Sequence, residues 1–250
     1  MPNSSSQQLE QPAILNELEF CVTEKHECGY IKENLATTLF VNPEINLQNQ
    51  HYSFLATKGF RRSGNHIYRP HCEGCSFCVA VKLEVDKFQP SKQQRRCWNK
   101  NKDLTAFSHP ARYNEEHFKL YSRYLQARHS NDGMDPFSKV AYQDIINSQW
   151  CHSELLELRL GQQLVAVAVL DKIKDGLSAV YTFFDPDLAK RSLGIVSIQH
   201  EIALAKQRKL KWLYLGYWNP ASQKMSYKTK FQPLKYFFNN DWHTTNPFNV

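Results

Sequence analysis

The chain has 250 residues, of which 42% are hydrophobic and 13% aromatic, so it can bury a full core and is not a disordered chain. Its net charge of +7 is unevenly placed: residues 58–102 carry a net charge of +8, and the remaining residues carry −1. This local excess favours a nucleic acid over an acidic protein or a membrane surface as the partner. No apolar run approaches the roughly 20 residues that cross a bilayer, and no secretory signal pattern opens the chain. The odd number of cysteines, seven, then indicates reduced thiols and a cytoplasmic protein.

The first half of the chain predicts a disordered tail, short strands and two helices. Residues 1–11 are predicted to form the tail, because they are polar and rich in Ser and Gln. Alternating apolar residues, turn residues and capping residues predict the other elements. These are strands at 18–22, 37–41 and 79–88, a hairpin within 60–68, and helices at 47–57 and from Ser91 onward.

The second half predicts a regular succession of helices and strands. Its elements are helices at 114–129 and 138–150, strands at 154–160, 163–170 and 177–184, a helix at 193–208, a strand at 212–216, a short helix at 222–228 and a strand at 234–238. This order resembles the acyl-CoA N-acetyltransferase fold, a mixed sheet with helices on its faces. We therefore predict an α/β (α+β) protein, with a smaller cysteine-containing α+β domain over 12–105 and an acetyltransferase-like domain over 106–250.

Three cysteines, Cys72, Cys75 and Cys78, follow one another at a spacing of three residues. Thiolates at this spacing can hold a soft metal, and either Cys28 or His71 could supply a fourth ligand. The candidates are zinc and an iron–sulfur cluster. The alternative interpretation is that these cysteines are packed, reduced thiols with no metal.

A basic segment with an aromatic residue follows the cysteines, and no carboxylate interrupts it. Cations beside an aromatic ring suit a phosphate backbone with stackable bases, although a solvated helix face would have the same composition. Lys190 and Arg191, ahead of the predicted helix at 193–208, add an anion site of the kind found at helix N-termini. The candidate RNA-binding residues are therefore Lys92, Arg95, Arg96, Trp98, Lys100, Lys190 and Arg191.

The loop before that helix argues against CoA as the acyl donor. Acetyltransferases of this fold read Gln/Arg-x-x-Gly-x-Gly/Ala here, whereas this chain reads Arg191-Ser-Leu-Gly-Ile-Val196. A branched valine replaces a small residue where the backbone is expected to approach the pyrophosphate closely. The pattern favours a different phosphate-bearing donor, or none.

Several motifs together resemble the aminoacyl-tRNA–protein transferases, which add an amino acid to protein N-termini. The match runs in order from about residue 28 to 236, and the length and the cysteine spacing resemble the bacterial branch that transfers leucine. The motifs are Cys28-Gly-Tyr, Gly59-Phe-Arg-Arg-Ser-Gly, Tyr68-Arg-Pro-His-Cys-x-x-Cys, Phe88-x-Pro-Ser-Lys-Gln-Gln-Arg-Arg, Tyr181-Thr-Phe-Phe-Asp-Pro, Tyr214-Leu-Gly-Tyr-Trp and Lys224-Met-Ser-Tyr-Lys-x-x-Phe-x-Pro.

The resemblance implies transfer of an aminoacyl group from charged tRNA to proteins that begin with Asp or Glu. The group transferred is leucyl in the bacterial branch, and arginyl transfer to the same acceptors is an alternative. Such a transfer requires no cofactor, and neither DNA nor a membrane is an expected partner. We expect Asp185, Tyr227 and Lys228 at the reaction centre, and Arg62, Arg69 or Lys228 facing the acceptor carboxylate, since a buried carboxylate needs a cation. A CoA-dependent N-acetyltransferase and a non-enzymatic, metal-stapled RNA-binding protein remain the alternatives.

Overall fold

The computed structural model describes residues 18–128, 133 and 135–248, so the predicted tail at 1–11 lies outside the described residues. The α-helices in this part of the chain are α1 (Asn49–Thr57), α2 (Lys92–Lys100), α3 (Glu115–Arg128), α4 (Lys139–Ile146) and α5 (Leu193–Gln207). The strands are β1 (Phe20–Val22), β2 (His26–Glu27), β3 (Leu35–Ala36), β4 (Thr38–Val41), β5 (Arg61–Ser63), β6 (His66–Pro70), β7 (Val79–Glu84), β8 (Leu104–Pro110), β9 (His152–Leu160), β10 (Gln163–Ile173), β11 (Gly176–Phe184), β12 (Trp212–Trp218), β13 (Leu234–Phe238) and β14 (Asp241–His243). Three 3₁₀ segments lie at Val85–Lys87, Pro186–Arg191 and Gln223–Lys230.

The largest sheet has eight strands, in the order β14-β13-β7-β12-β11-β10-β9-β8. Its neighbouring strands are antiparallel, apart from the parallel pair β11 and β12. This mixed sheet, and the order of elements within residues 106–250, confirm the predicted fold class. One central strand, β7, comes from before residue 105, so the sheet includes residues on both sides of the predicted domain boundary, which stays a prediction.

Strand β10 explains why the centre of the sheet reads as a continuous apolar run. Val167 and Val169 on one face pack with α3 and α4, whereas Ala168 and Leu170 on the other face pack with α5. Because successive side chains of a strand point to opposite faces, a strand covered on both sides must be apolar at nearly every position. Nine of its eleven residues are buried.

A smaller four-stranded sheet, in the order β1-β4-β6-β5, packs with α1 against residues of the central strands β10 and β12 of the large sheet. Tyr52 and Leu55 of α1 share one apolar cluster with Trp212 and Tyr214 of β12. The small sheet is therefore packed directly on the large one, with no solvent layer between these residues.

The sequence does not predict β8, because most of its side chains are exposed and show no apolar alternation. The strand predicted at 79–88 ends at Glu84, where the backbone turns into the segment Val85–Lys87. The short helix predicted at 222–228 is a 3₁₀ segment, Gln223–Lys230. No helix in the described part of the chain is both long and apolar enough to cross a bilayer.

A fully buried ion pair joins the two sheets. Arg62 of β5 donates through Nε and Nη2 to both carboxylate oxygens of Asp171 of β10, at 2.6 and 2.9 Å, and both side chains are 0% exposed. The same guanidinium donates to the carbonyls of Ile145 and Asn147, at 3.3 Å each, where α4 ends. Arg62 thus neutralises a buried carboxylate and supplies donors to carbonyls that a helix end leaves without partners.

We expect Arg62→Met to lower the free energy of unfolding by about 3–5 kcal/mol, because it leaves the Asp171 carboxylate buried without a cation. The double variant Arg62→Met with Asp171→Leu should recover part of that loss. Lys139→Met is the matched control, since it breaks an exposed ion pair with Glu115 that contributes at most about 1 kcal/mol. Urea denaturation measures all three, and a loss under 1 kcal/mol for Arg62→Met would contradict the structural role.

Candidate active site

The large sheet opens between β11 and β12. These strands pair only from Gly176 to Ser178 on one side and from Trp212 to Tyr214 on the other. Beyond this point β11 continues to Phe184 beside β10, and β12 continues to Trp218 beside β7. The carbonyls of β11 that face the gap therefore have no partner on β12, and a ligand or a side chain can reach them.

Arg61 of β5 fills part of this split. Its Nη2 donates to the carbonyl of Ala179 at 2.6 Å and approaches that of Val180 at 3.5 Å. Gly216 of β12, at φ +79°, leaves the room, because a Cβ there would lie 1.6 Å from Nη1 of Arg61. A fixed positive charge thus stands at the split, held by backbone carbonyls.

Lys228 lies beside Arg61 on the segment Gln223–Lys230. Its Nζ donates to the carbonyl of Tyr217 at 2.6 Å. Burial, and secondarily the charge of Arg61, lowers the pKa of Lys228 to about 7. This amine is consequently close to half protonated at neutral pH, unlike an ordinary lysine.

Two tyrosines belong to the same neighbourhood. The hydroxyl of Tyr217 donates to the carbonyl of Gly59 at 2.9 Å and lies 3.1 Å from that of Tyr68. Burial, and secondarily the negative charge of Glu201, raises the pKa of Tyr227 to about 12. Both phenols therefore stay protonated at neutral pH and serve as hydrogen-bond donors rather than as bases.

Glu201 of α5 is a carboxyl that the sequence analysis missed. It is 0% exposed, and neither carboxylate oxygen has a partner in hydrogen-bond geometry among the described residues. Burial raises the pKa of Glu201 to about 7, although nearby Thr182 of β11 lowers it somewhat. A signal existed, because Glu201 lies among Ile198, Ile202 and Ala205 at the helical spacing of a core-facing stripe.

Asp185, the predicted base, lies at the end of β11 with its oxygens already engaged. Oδ1 accepts from Arg123 at 2.9 Å and from the backbone amide of Asp187 at 3.0 Å. Oδ2 accepts from Gln163 at 3.1 Å, and Asp185 is 2% exposed. The geometry is that of a capping residue for the segment Pro186–Arg191.

The predicted acceptor cations are not equivalent. Arg62 is committed to Asp171 and points away from the split, since neighbouring residues of a strand face opposite sides. Arg69 of β6 stacks over the ring of Phe60, with 5.0 Å from Cζ to the centroid. It lies on the same face of the small sheet as Arg62, because Ile67, two residues before it, pairs with Arg62. Of the three predicted cations, Lys228 is therefore the one that lies beside Arg61 at the split.

The predicted RNA-binding residues come together from two parts of the chain. Lys100 of α2 donates to the carbonyl of Lys190 at 2.7 Å, which holds α2 against the segment Pro186–Arg191. Arg191, however, makes a bidentate ion pair with Asp103, at 2.9 and 2.8 Å. The exposed cations Lys92, Arg95, Arg96, Lys100 and Lys190 thus lie on two adjoining segments, whereas Arg191 is neutralised.

Val196 does not act as the sequence analysis expects. Its side chain is 0% exposed and packs in the core with Leu193 and Leu104. It is therefore not on the surface that a pyrophosphate would approach, and it is no obstacle to CoA.

The four predicted metal ligands share one neighbourhood near the end of β12. The pKa of Cys78 is raised to about 11, mainly by burial. The amide of Asn219, which donates to Sγ of Cys78 at 3.5 Å, opposes this rise. The nearby thiols of Cys28, Cys72 and Cys75 add to it. Four thiols suit zinc or iron, but within the described residues no three of them bring their sulfurs within 4.8 Å of one another. The metal stays a prediction.

A second group of possible ligands, His109, His117 and Glu157, does meet that 4.8 Å spacing. Nε2 of His117 lies 2.5 Å from Oε1 of Glu157, and the other oxygen of Glu157 accepts from Arg159 at 2.7 Å. Nδ1 of His117 is buried and has no hydrogen-bond partner among the described residues. If a metal were bound to Nε2, the proton would have to be on Nδ1, where it would have no acceptor. If Nε2–H instead donates to Glu157, Nδ1 carries a lone pair and no proton. The hydrogen-bonded network is therefore the better account.

Three comparisons with known proteins bear on this chain. The arginine-tRNA-protein transferase N-terminal and C-terminal families match residues 26–96 and 116–238. A protein of Teredinibacter turnerae named aspartate/glutamate leucyltransferase is 46% identical, over 91% of this chain and 94% of its own length. A protein of the same name from Saccharophagus degradans is 43% identical, over 92% of this chain and 98% of its own length. The solved structure of FemX has a TM-score of 0.45 at 9% identity, over 90% of this chain and 87% of its own.

We expect Glu201 to contribute a loss of stability as the pH rises from about 4.5 to 7. The folded protein keeps a proton on this buried carboxyl through that range, whereas the unfolded chain releases it. Raising the pH within the range therefore lowers the free energy of unfolding. Glu201→Gln should remove a loss on the order of 3 kcal/mol and should be more stable than the parent protein at pH 8. Denaturation at several pH values measures this, with exposed Glu44→Gln as the control. A stability difference between parent and variant that does not change with pH would contradict it.

Proposed function

The chain belongs to the arginine-tRNA-protein transferase family and is an aminoacyltransferase, and from this premise we propose that it transfers leucine from leucyl-tRNA to proteins whose first residue is Asp or Glu. The choice of leucine rests on the name that the relatives from Teredinibacter turnerae and Saccharophagus degradans share. The product would carry an N-terminal leucine, which marks it for degradation by the N-end pathway. Such a reaction would take place in the cytoplasm, where charged tRNA and these acceptors meet.

The split between β11 and β12 is the observation that supports this site for the reaction. It brings a fixed guanidinium, Arg61, next to an amine of lowered pKa, Lys228, at the open backbone edge of β11. Buried Glu201 and Tyr227 line the same region from α5 and from the segment Gln223–Lys230. These groups can orient a polar substrate and respond to charge that develops on it.

The chemistry asks little of the protein. The acceptor's α-amine attacks the ester carbonyl of leucyl-tRNA, an amide bond forms, the ester bond breaks, and the proton lost by the amine ends on the released ribose hydroxyl. The ester is already activated, and an α-amine with a pKa near 8 loses its proton readily. The rate enhancement then comes mainly from positioning and from a dipole or charge at the developing oxyanion. We assign that last role to Arg61, whose position is held by Ala179.

The acceptor's acidic side chain needs a cation, because an unpaired buried carboxylate costs several kcal/mol. Of the predicted cations, Lys228 lies at the split, Arg69 stacks over Phe60, and Arg62 is already paired with Asp171. We favour Lys228, since a carboxylate arriving beside it would restore a proton that burial has made easy to lose. Binding an acidic residue and charging this lysine would then be one coupled event.

The donor tRNA would lie across α2 and the segment Pro186–Arg191. The exposed cations Arg95, Arg96 and Lys190 suit its phosphates, and α2 is held against that segment by Lys100. We leave Arg191 out of this surface, because its guanidinium already pairs with Asp103.

The proposal is tested by mixing the pure protein with labelled leucyl-tRNA and a peptide that begins with Asp. We expect leucine on the peptide's α-amine, and no transfer to a peptide that begins with an uncharged residue such as Ser. Parallel reactions contain arginyl-tRNA or acetyl-CoA in place of leucyl-tRNA. Transfer from either of these, and none from leucyl-tRNA, would overturn the proposal, as would tRNA binding without any transfer.

The role of Lys228 has a pH signature. The ratio of kcat/KM for an Asp-starting peptide to that for an Asn-starting peptide should fall about ten-fold from pH 6 to pH 8. The protonated fraction of a group with a pKa of about 7 drops from roughly nine-tenths to one-tenth over that range. The α-amine of each peptide is titrated separately and both rates are expressed per unprotonated amine, because the Asp carboxylate raises the pKa of its neighbouring amine.

In Lys228→Met the ratio should be low and independent of pH, whereas the nearby control Lys230→Met should keep the parent profile. A ratio that is high and flat with pH in the parent protein, and is lost in Arg69→Met, would assign the carboxylate to Arg69 instead, since arginine stays charged throughout.

A further inference from the structure

Two cations stand side by side at the split between β11 and β12, and each is held by a backbone carbonyl. Arg61 donates to the carbonyl of Ala179 at 2.6 Å, and Lys228 donates to that of Tyr217 at 2.6 Å. The guanidinium occupies the space beside Gly216, so the two cations lie at consecutive residues of β12, whose Cα atoms are about 3.8 Å apart. The split therefore contains two positive charges that are close neighbours.

These two charges have no counter-ion within the part of the chain that the structure describes. No ion pair there joins Arg61 or Lys228 to a carboxylate, and their hydrogen bonds go to backbone carbonyls, which carry no net charge. Like charges that are partly removed from water repel one another, and each one costs free energy when it is not paired. An anion bound beside both cations would remove the two costs together.

Both cations keep hydrogen-bond donors and accessible surface for such a ligand. A guanidinium has five N–H donors and an ammonium has three, whereas the carbonyls engage Nη2 of Arg61 and a single donor of Lys228. Each side chain is half-buried, so part of its surface is accessible to solvent. Because the carbonyls already fix both cations, little side-chain entropy is lost when an anion binds.

Two carboxylates on one short chain match this pair of cations. A guanidinium binds a carboxylate through two parallel hydrogen bonds, whereas an ammonium binds it as a point charge. The acceptor proposed above already brings one carboxylate to Lys228, on a side chain of one or two methylenes. A second carboxylate on the same α-carbon as the amine would lie where the amine meets the ester carbonyl, which is the position that we assign to Arg61.

We propose that the split binds a short dicarboxylate such as succinate, with one carboxylate on Arg61 and the other on Lys228, and that the bound dicarboxylate excludes the acceptor; this exclusion rests on the function proposed above. The free amino acids aspartate and glutamate carry the same two groups. Their amine, however, keeps its proton at neutral pH, and the two cations repel that ammonium. A dicarboxylate without an amine is therefore the better ligand, and it competes with acceptors for the same two cations.

Isothermal titration calorimetry at pH 7 measures binding of three probes: succinate, succinamate, in which an amide replaces one carboxylate, and aspartate. Succinate should bind the parent protein on the order of ten-fold more tightly than succinamate, because succinamate makes one charged contact fewer. Aspartate should bind more weakly than succinate. Equal affinities of succinate and succinamate would overturn the proposal, and tighter binding of aspartate would overturn the preference for a ligand without an amine.

In Lys228→Met the preference for succinate over succinamate should fall below two-fold, since one carboxylate no longer meets a cation. Arg61→Met should have the same effect, and the comparison of the two probes in the parent protein decides the matter if that variant does not fold. Lys230→Met is the matched control, as an exposed lysine on the same segment, and should keep the full preference. A full preference in Lys228→Met would show that the ligand does not bind to this pair of cations.

The exclusion of the acceptor is measured in the transfer reaction with saturating leucyl-tRNA. Succinate should raise the KM for an Asp-starting peptide and leave kcat unchanged, and inhibition that more peptide does not relieve would overturn the exclusion. If succinate binds as expected and no leucine is transferred even in its absence, the proposed function is wrong and the dicarboxylate site stands. If leucine is transferred and succinate does not bind, the site is wrong and the proposed function stands.

Discussion

The short parallel pairing of β11 and β12 is the constraint on which the site depends. Three residues on each strand keep the two halves of the sheet together, and the strands then diverge beside β10 and β7. An open backbone edge inside a core is costly unless donors reach it, and Arg61 supplies them from the neighbouring small sheet. The guanidinium of Arg61 can reach this edge only because position 216 is a glycine: a Cβ there would occupy the same space.

Arg61 and Arg62 are adjacent, but their partners give them different roles. Arg62 meets a carboxylate and helix-end carbonyls, so its charge and donors are fully used in joining the sheets. Arg61 donates to carbonyls of β11, and within the described part of the chain no ion pair joins it to a carboxylate, so its positive charge is not cancelled there. Burial lowers the pKa of Lys228, and the charge of Arg61 lowers it further, because low local polarity strengthens electrostatic effects. The pKa of Lys228 and that of the carboxyl of Glu201 are both shifted to about 7, and in both cases burial in this packed region is the main cause.

The site belongs to both halves of the chain. Arg61 comes from the small sheet, Lys228 from the C-terminal part, and β7 carries the chain from the cysteine-bearing segment into the centre of the large sheet. Asn219, at the end of β12, contacts Cys78, so the cysteines adjoin the strand that carries Tyr217. The cysteine region therefore lies next to one wall of the split, at the end of a strand.

The sequence by itself determined the class of fold, the order of elements after residue 106 and the family, because apolar periodicity and motif spacing are local properties of the chain. It also predicted the basic helix α2, and it put forward Lys228 as a site residue, a role that stays a prediction. Only the tertiary structure decided which arginine of the pair 61–62 faces the split, since a period of two places neighbours on opposite faces but does not say which face is which. The same holds for Asp185, whose engagement by Arg123 and Gln163 depends on residues distant in sequence. The raised pKa of Glu201 likewise depends on what packs around α5, because burial without a hydrogen-bond partner is a property of the assembled core and not of the residue.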